Sequence, residues 1–165
     1  MQSIPFRRSY SKNPSKKQTY FGYKVHAITT SSGAIKAFEI TAANIDERKG
    51  LEKLSLELKA DSIILGDKGY VSEPLARKLK EQGQTLLALK RSNSREKYPP
   101  LLQEAIFRTR RRIETTFSQL AEQLNVERVL SKTFDGLSLR LLTKILAFNL
   151  CLLLAQSTQI KSLIF

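Results

Sequence analysis

Two carboxylates sit among neighbours suited to chemistry on phosphates. Asp67 lies in Leu65-Gly66-Asp67-Lys68-Gly69-Tyr70, and Glu114 follows Arg108, Arg110, Arg111 and Arg112. Two divalent ions about 4 Å apart can activate a water or a 3′ hydroxyl and stabilise the leaving oxygen, but they need anionic oxygen ligands from different parts of a fold. Two acids are a minimum for such a site, and three are better. Lys68 supplies charge for a phosphate, while Gly66 and Gly69 leave room for a large substrate to approach. Arg110 and Arg111 precede Glu114 by four and three residues, the spacing of one helix face, and can hold a phosphate backbone there. Structural roles compete with these. Asp-x-Gly sequences routinely cap turns, and Glu114 also fits a surface ion-pair ladder worth roughly a few tenths of a kcal/mol per pair.

The elements that would position these residues follow from periodicity. Residues 1 to 19 mix Ser, Asn and Pro with Arg7, Arg8, Lys12, Lys16 and Lys17 and read as an extended basic arm. β-Branched and aromatic residues predict a strand over 19–30, a turn at Ser31-Ser32-Gly33 and a second strand over 34–41. Leu51, Leu54 and Leu58 predict a helix over 47–59 with Asp46 as its N-cap. Residues 61–65 read as a short strand whose apolar part, Ile63-Ile64-Leu65, does not alternate, the pattern of a central strand covered on both faces, and Asp67 stands at its carboxyl end. Ser72-Glu73-Pro74 opens a helix closed by Gly83, and a strand follows over 85–89. A long helix from about 101 to 124 carries Ile106, Ile113, Phe117, Leu120 and Leu124 on one stripe. Glu114 is expected on its border, near Phe107 and Phe117, where the helix meets the sheet. The last helix covers about 137–155. Its apolar parts, interrupted by Arg140, Lys144 and Asn149, fall short of a membrane span and predict a buried or partner-facing helix. The sum is an α/β chain with one mixed sheet and helices packed on it.

Composition narrows the partners. The 165 residues carry 28 Lys and Arg against 15 acids, a formal charge of +13, and no acid precedes Glu39. Such a balance points to a polyanion and says nothing about fold. Cys151, the single cysteine, lies in an apolar run and excludes a disulfide or a thiolate metal cluster within one chain. The polar, basic start has no apolar core of a signal peptide. An interior, reducing compartment and no membrane partner are the expectation.

The stretches YFGYKVHAITTSSG (20 to 33), ITAANIDER (40 to 48), LGDKGY (65 to 70) and RRRIETTFSQL (110 to 120) resemble the DDE transposases of bacterial insertion sequences. The likeness is to the IS982 type, related to the IS4 and IS5 groups, and runs from about residue 2 to 154. It implies an RNase H-like fold with one catalytic acid at the end of the first strand, a second after the fourth and a Glu on a later helix. By that resemblance Asp67 and Glu114 are catalytic and metal-binding, and Mg²⁺ or Mn²⁺ is the cofactor. The wider IS4 signature is only partly kept, with Phe107 at its Tyr place and Ala121 at its Lys place. In the segment that resembles Asp-Ser-x-Pro-Ile, Gln2 stands at the place of the first acid, and a carboxamide is a poor Mg²⁺ ligand. The resemblance therefore implies a chain truncated at its amino terminus, with the first strand largely missing. Its divisions would be a basic arm over 1–19, a partial catalytic domain over 20–155 and a tail over 156–165.

The implied function is metal-dependent phosphodiester cleavage and strand transfer in DNA transposition, impaired by the missing acid. Asp46 lies in the AANIDER stretch, but helix capping accounts for it more simply than replacement of that acid. The alternative function is a non-catalytic DNA-binding remnant, and a third is a basic RNA-associated protein of unrelated fold. Aromatic platforms spaced for single-stranded bases would favour the third, but the aromatics fall in patterns that core packing explains. The nucleic-acid contacts expected are Lys16, Lys17, Lys24, Lys68, Arg110 and Arg111. Partners are double-stranded DNA at transposon ends and targets, and a second copy of the chain, in a bacterial, nucleoid-associated cytoplasmic setting.

Overall fold

The computed structural model of the chain describes residues 8–13, 18–89 and 98–158. They form a mixed α/β fold of small sheets and packed helices, divided into two compact units. The first unit comprises residues up to Ile28 and from Ala37 to Arg110, and the second Thr29–Lys36 with the chain from Arg111 onward.

In the first unit, strands β1 (Ser9–Asn13), β2 (Gln18–Thr29) and β3 (Ile35–Ala42) lie side by side in that order, β2 and β3 running on into the second. β1 pairs antiparallel with β2, Tyr10 standing opposite Phe21. The arm expected at the amino end thus contains a strand, which the abundance of turn-forming residues conceals. Ser9 anchors it, since its hydroxyl donates to Asn44 Oδ1 and accepts from the Asn44 N–H, each at 2.9 Å.

Helix α1 (Glu47–Leu54) begins at Asp46, whose carboxylate accepts from the Arg48 N–H. It ends earlier than its leucine spacing predicts and gives way to a 3-10 turn, Ser55–Glu57. Buried Ser55 donates to the Glu52 carbonyl, and its own carbonyl accepts from the Gln84 amide at 2.8 Å. β4 (Ile63–Gly66) and β5 (Thr85–Ala88) form a separate two-stranded parallel sheet, joined through α2 (Glu73–Glu81). Two findings here correct the sequence reading. The sheet is not one mixed array among the described residues but two, and β4 is not covered on both faces, because Ile64 is buried while Ile63 is 67% exposed. The core of this unit is Leu51, Ile64, Leu75 and Leu79, with Ile28, Leu58, Tyr70 and Leu86 packed against it. α2 starts on the Ser72 N-cap with Pro74 in its first turn, and Gly83 beyond its end takes φ +74°.

In the second unit, the turn between β2 and β3 takes its shape from Gly33 at φ +95°. Its carbonyl accepts from the buried Thr116 hydroxyl at 3.0 Å, on helix α3 (Pro100–Glu122). Asn149, on helix α4 (Phe134–Thr158), holds both main-chain groups of Ile35, accepting its N–H at 2.9 Å and donating to its carbonyl at 2.8 Å. Lys144 donates to the carbonyls of Leu124 and Asn125, and Arg140 to that of Leu130. One face of α4 buries Leu141, Ile145, Phe148 and Ala155. Phe134–Ser157, with Arg140 and Lys144 inside it, is long and apolar enough to cross a membrane by length and composition alone, a test that a core helix also passes.

Candidate functional site

Asp67 follows β4 directly, and the local sequence dictates its role. Its Oδ1 accepts from the Lys68 N–H at 2.7 Å, so the carboxylate caps the 3-10 turn Lys68–Tyr70. The same oxygen lies 3.8 Å from Nη1 of Arg110, with both side chains about half exposed. Lys68 itself is exposed. The two glycines beside Asp67 do different things. A Cβ on Gly66 would stand 3.1 Å from Cβ of Tyr70 and 3.2 Å from its ring, so Gly66 lets the tyrosine fold back over the strand end. Gly69 faces open space and is the one that leaves room for a substrate. Burial pushes the Tyr70 phenol above its ordinary pKa, and the carboxylates of Glu47 and Asp67 add to the shift.

Nearby acids are committed elsewhere. Asp46 takes the Arg48 N–H, Nε and Nη2 at 2.9, 2.8 and 2.6 Å, and these bonds hold its carboxyl far below the usual range. Glu47 is paired with Lys24 at 2.7 Å, which lowers its pKa. Lys24 also donates to the Ile45 carbonyl at 3.0 Å, so this expected phosphate contact spends its charge inside the unit. Beneath this group His26 is 5% exposed, with Nε2 2.8 Å from the Thr41 hydroxyl, and burial followed by Lys24 lowers its pKa.

In the second unit Arg111, Arg112 and Glu114 are all exposed on α3. The apolar stripe expected beside Glu114 is buried at Ile106 and Leu120 but not at its aromatic members. Phe107 and Phe117 are 43% and 36% exposed, and the buried positions of α3 are Ile106, Thr116 and Leu120. Thr116 was invisible as a core residue because its hydroxyl is polar, and only its spacing of four from Leu120 hints at it. Lys16, Lys17 and Gln2 lie outside the described residues.

Divalent ions of the kind expected need several carboxylate oxygens in one place. Among the described residues no group of three or more Asp, Glu, His or Cys side chains converges, and the Asp67 oxygen is already engaged by a main-chain N–H and faced by a guanidinium. The cations beside Asp67 are Lys68, which is exposed, and Arg110, which faces the carboxylate.

The family described as Transposase DDE domain matches residues 2–150, and the chain belongs to that family. Comparison with curated proteins found no match, nor did comparison with solved structures.

Proposed function

We propose that this chain is a non-catalytic, DNA-binding member of the transposase family. The observation that carries the reading is the engagement of Asp67 by Lys68 and Arg110, in a family whose chemistry requires such an acid to face metal. The charge of +13 supplies the affinity for duplex DNA, through Lys68, Arg110 and Arg111. Transposon ends and target DNA are the duplexes meant, in the bacterial cytoplasm. The finer reading of the fold is RNase H-like of the IS982 type. Its support is the mixed α/β fold of small sheets and packed helices together with the four stretches that resemble that type. Pairing with a second copy is supported by α4, whose outer face exposes Leu139, Leu142, Leu146, Leu150, Leu153 and Leu154. The competing reading makes Asp67 and Glu114 metal-dependent catalytic acids, on the strength of the family alone.

Titration of a fluorescent, mixed-sequence duplex at rising salt tests the binding. The expected result is a steep loss of affinity between about 50 and 200 mM salt. Changing Arg110 or Arg111 to Gln should weaken all duplexes alike and flatten the salt slope by about one. Affinity indifferent to salt would remove the basis of the reading.

A further inference from the structure

We infer that the outer face of the β1–β2 ribbon is a stacking platform for unpaired DNA bases. This rests on the DNA-binding reading and adds a second ligand class, single-stranded or locally unpaired DNA, at a place the family resemblance does not assign.

Strand geometry sorts the side chains. Residues of one strand alternate between faces, and directly opposed residues share a face. The register sets Ser9 against Gly22, Tyr10 against Phe21 and Lys12 against Thr19. The inner face is marked by the Ser9 side chain, whose hydroxyl is bonded to Asn44 in the loop after β3. Tyr10 and Phe21 therefore point the other way, together with Lys12 and Thr19.

Exposure agrees with that sorting. Tyr10 is 71% and Phe21 54% exposed, their ring centroids 4.8 Å apart and their planes tilted by 46°. Packing explains only the faces these rings turn to each other. Two large aromatics left in solvent cost free energy unless something covers them, and the cover must suit their rim. Lys12 and Arg8 are exposed beside them, and no acid occurs before Glu39 in the sequence. A nucleic acid strand meets both requirements, its bases stacking on ring faces and its phosphates meeting Lys12. A duplex keeps its base faces stacked on each other, so the aromatic contribution belongs to unpaired bases.

The chain contains no tryptophan, so Phe21→Trp places a single indole on the platform. The full chain carrying that substitution is titrated with oligo-dT, with an abasic oligonucleotide of equal length and with duplex. Indole emission should be quenched by oligo-dT and left nearly unchanged by the abasic strand, although both supply the same phosphates. In parallel, Tyr10→Ala should weaken oligo-dT binding by about tenfold or more, in keeping with the stacking contribution of one base, while Tyr10→Phe retains it. Duplex affinity should hold within about twofold in both. Equal emission changes with abasic and base-bearing strands, or equal losses for duplex and oligo-dT in Tyr10→Ala, would overturn the platform. A protein partner on this face would leave both nucleic acids unaffected by either substitution and overturns it too. If neither duplex nor single strand binds the unmodified chain, the DNA-binding reading itself falls, so the two failures are distinguishable.

Discussion

Gly50 shows how much depends on one missing methyl group. A Cβ there would stand 2.4 Å from Cγ and Nδ1 of His26, a ring buried and bonded to Thr41. Helix propensity alone would favour Gly50→Ala by up to about 1 kcal/mol. The clash with a ring that cannot retreat is larger, so a net loss of about 1–3 kcal/mol is expected, read as a lower urea midpoint at unchanged m-value. Gly69→Ala, which meets nothing within 4 Å, should stay within about 0.5 kcal/mol. His26 also sets a pH dependence. Its folded pKa is below the ordinary 6.5, so below that pH the unfolded chain binds a proton that the folded chain resists. Stability is fully present above pH 6.5 and declines as pH falls below it. His26→Gln should flatten the urea midpoint across that window. A midpoint in the unmodified chain that rises as pH drops from 6.5 to 5.5 would contradict the assignment, about one unit being enough to see the slope.

The elements were legible where period and capping agree. Asp46, Ser72 and Gly83 mark helix boundaries in sequence and in structure alike. β1 was hidden because strand pairing outweighs a turn-rich composition, and the division into two sheets depends on partners no single segment reveals. Asn149 reads in sequence as an interruption of an apolar helix, yet it is the clamp on Ile35. Asn149→Leu would complete the apolar pattern and still destabilise by about 1–3 kcal/mol, because it leaves an N–H and a carbonyl unpaired. A thermal melt at or above the unmodified value would refute that role. On the side of α4 away from buried Leu141, Ile145 and Phe148, the six exposed leucines lead to a different expectation. Leu146→Glu together with Leu150→Glu should shift sedimentation from dimer to monomer without lowering helicity. An unmodified chain that sediments as a monomer at high concentration rules out pairing through this face.

For the whole molecule, composition gave the charge of +13 and pointed to a polyanion without saying which, and the family was readable from four short stretches. The state of the acids was not. A sequence can place Asp67 at a strand end, but whether its oxygens face a metal or cap a turn depends on the backbone that follows, here the 3-10 turn from Lys68 to Tyr70. The aromatic face of the β1–β2 ribbon escaped notice for a related reason. Phe21 fits a strand pattern and Tyr10 falls in the stretch that reads as an arm, so neither their pairing nor their exposure is visible in the sequence. The most direct test is a titration of end-labelled duplex with the full chain, in EDTA and in Mg²⁺ or Mn²⁺, scored for both binding and strand breaks. Salt-sensitive binding is expected in every buffer, with breaks at background and no change on Asp67→Asn. Metal-dependent breaks that disappear with Asp67→Asn would contradict the non-catalytic assignment.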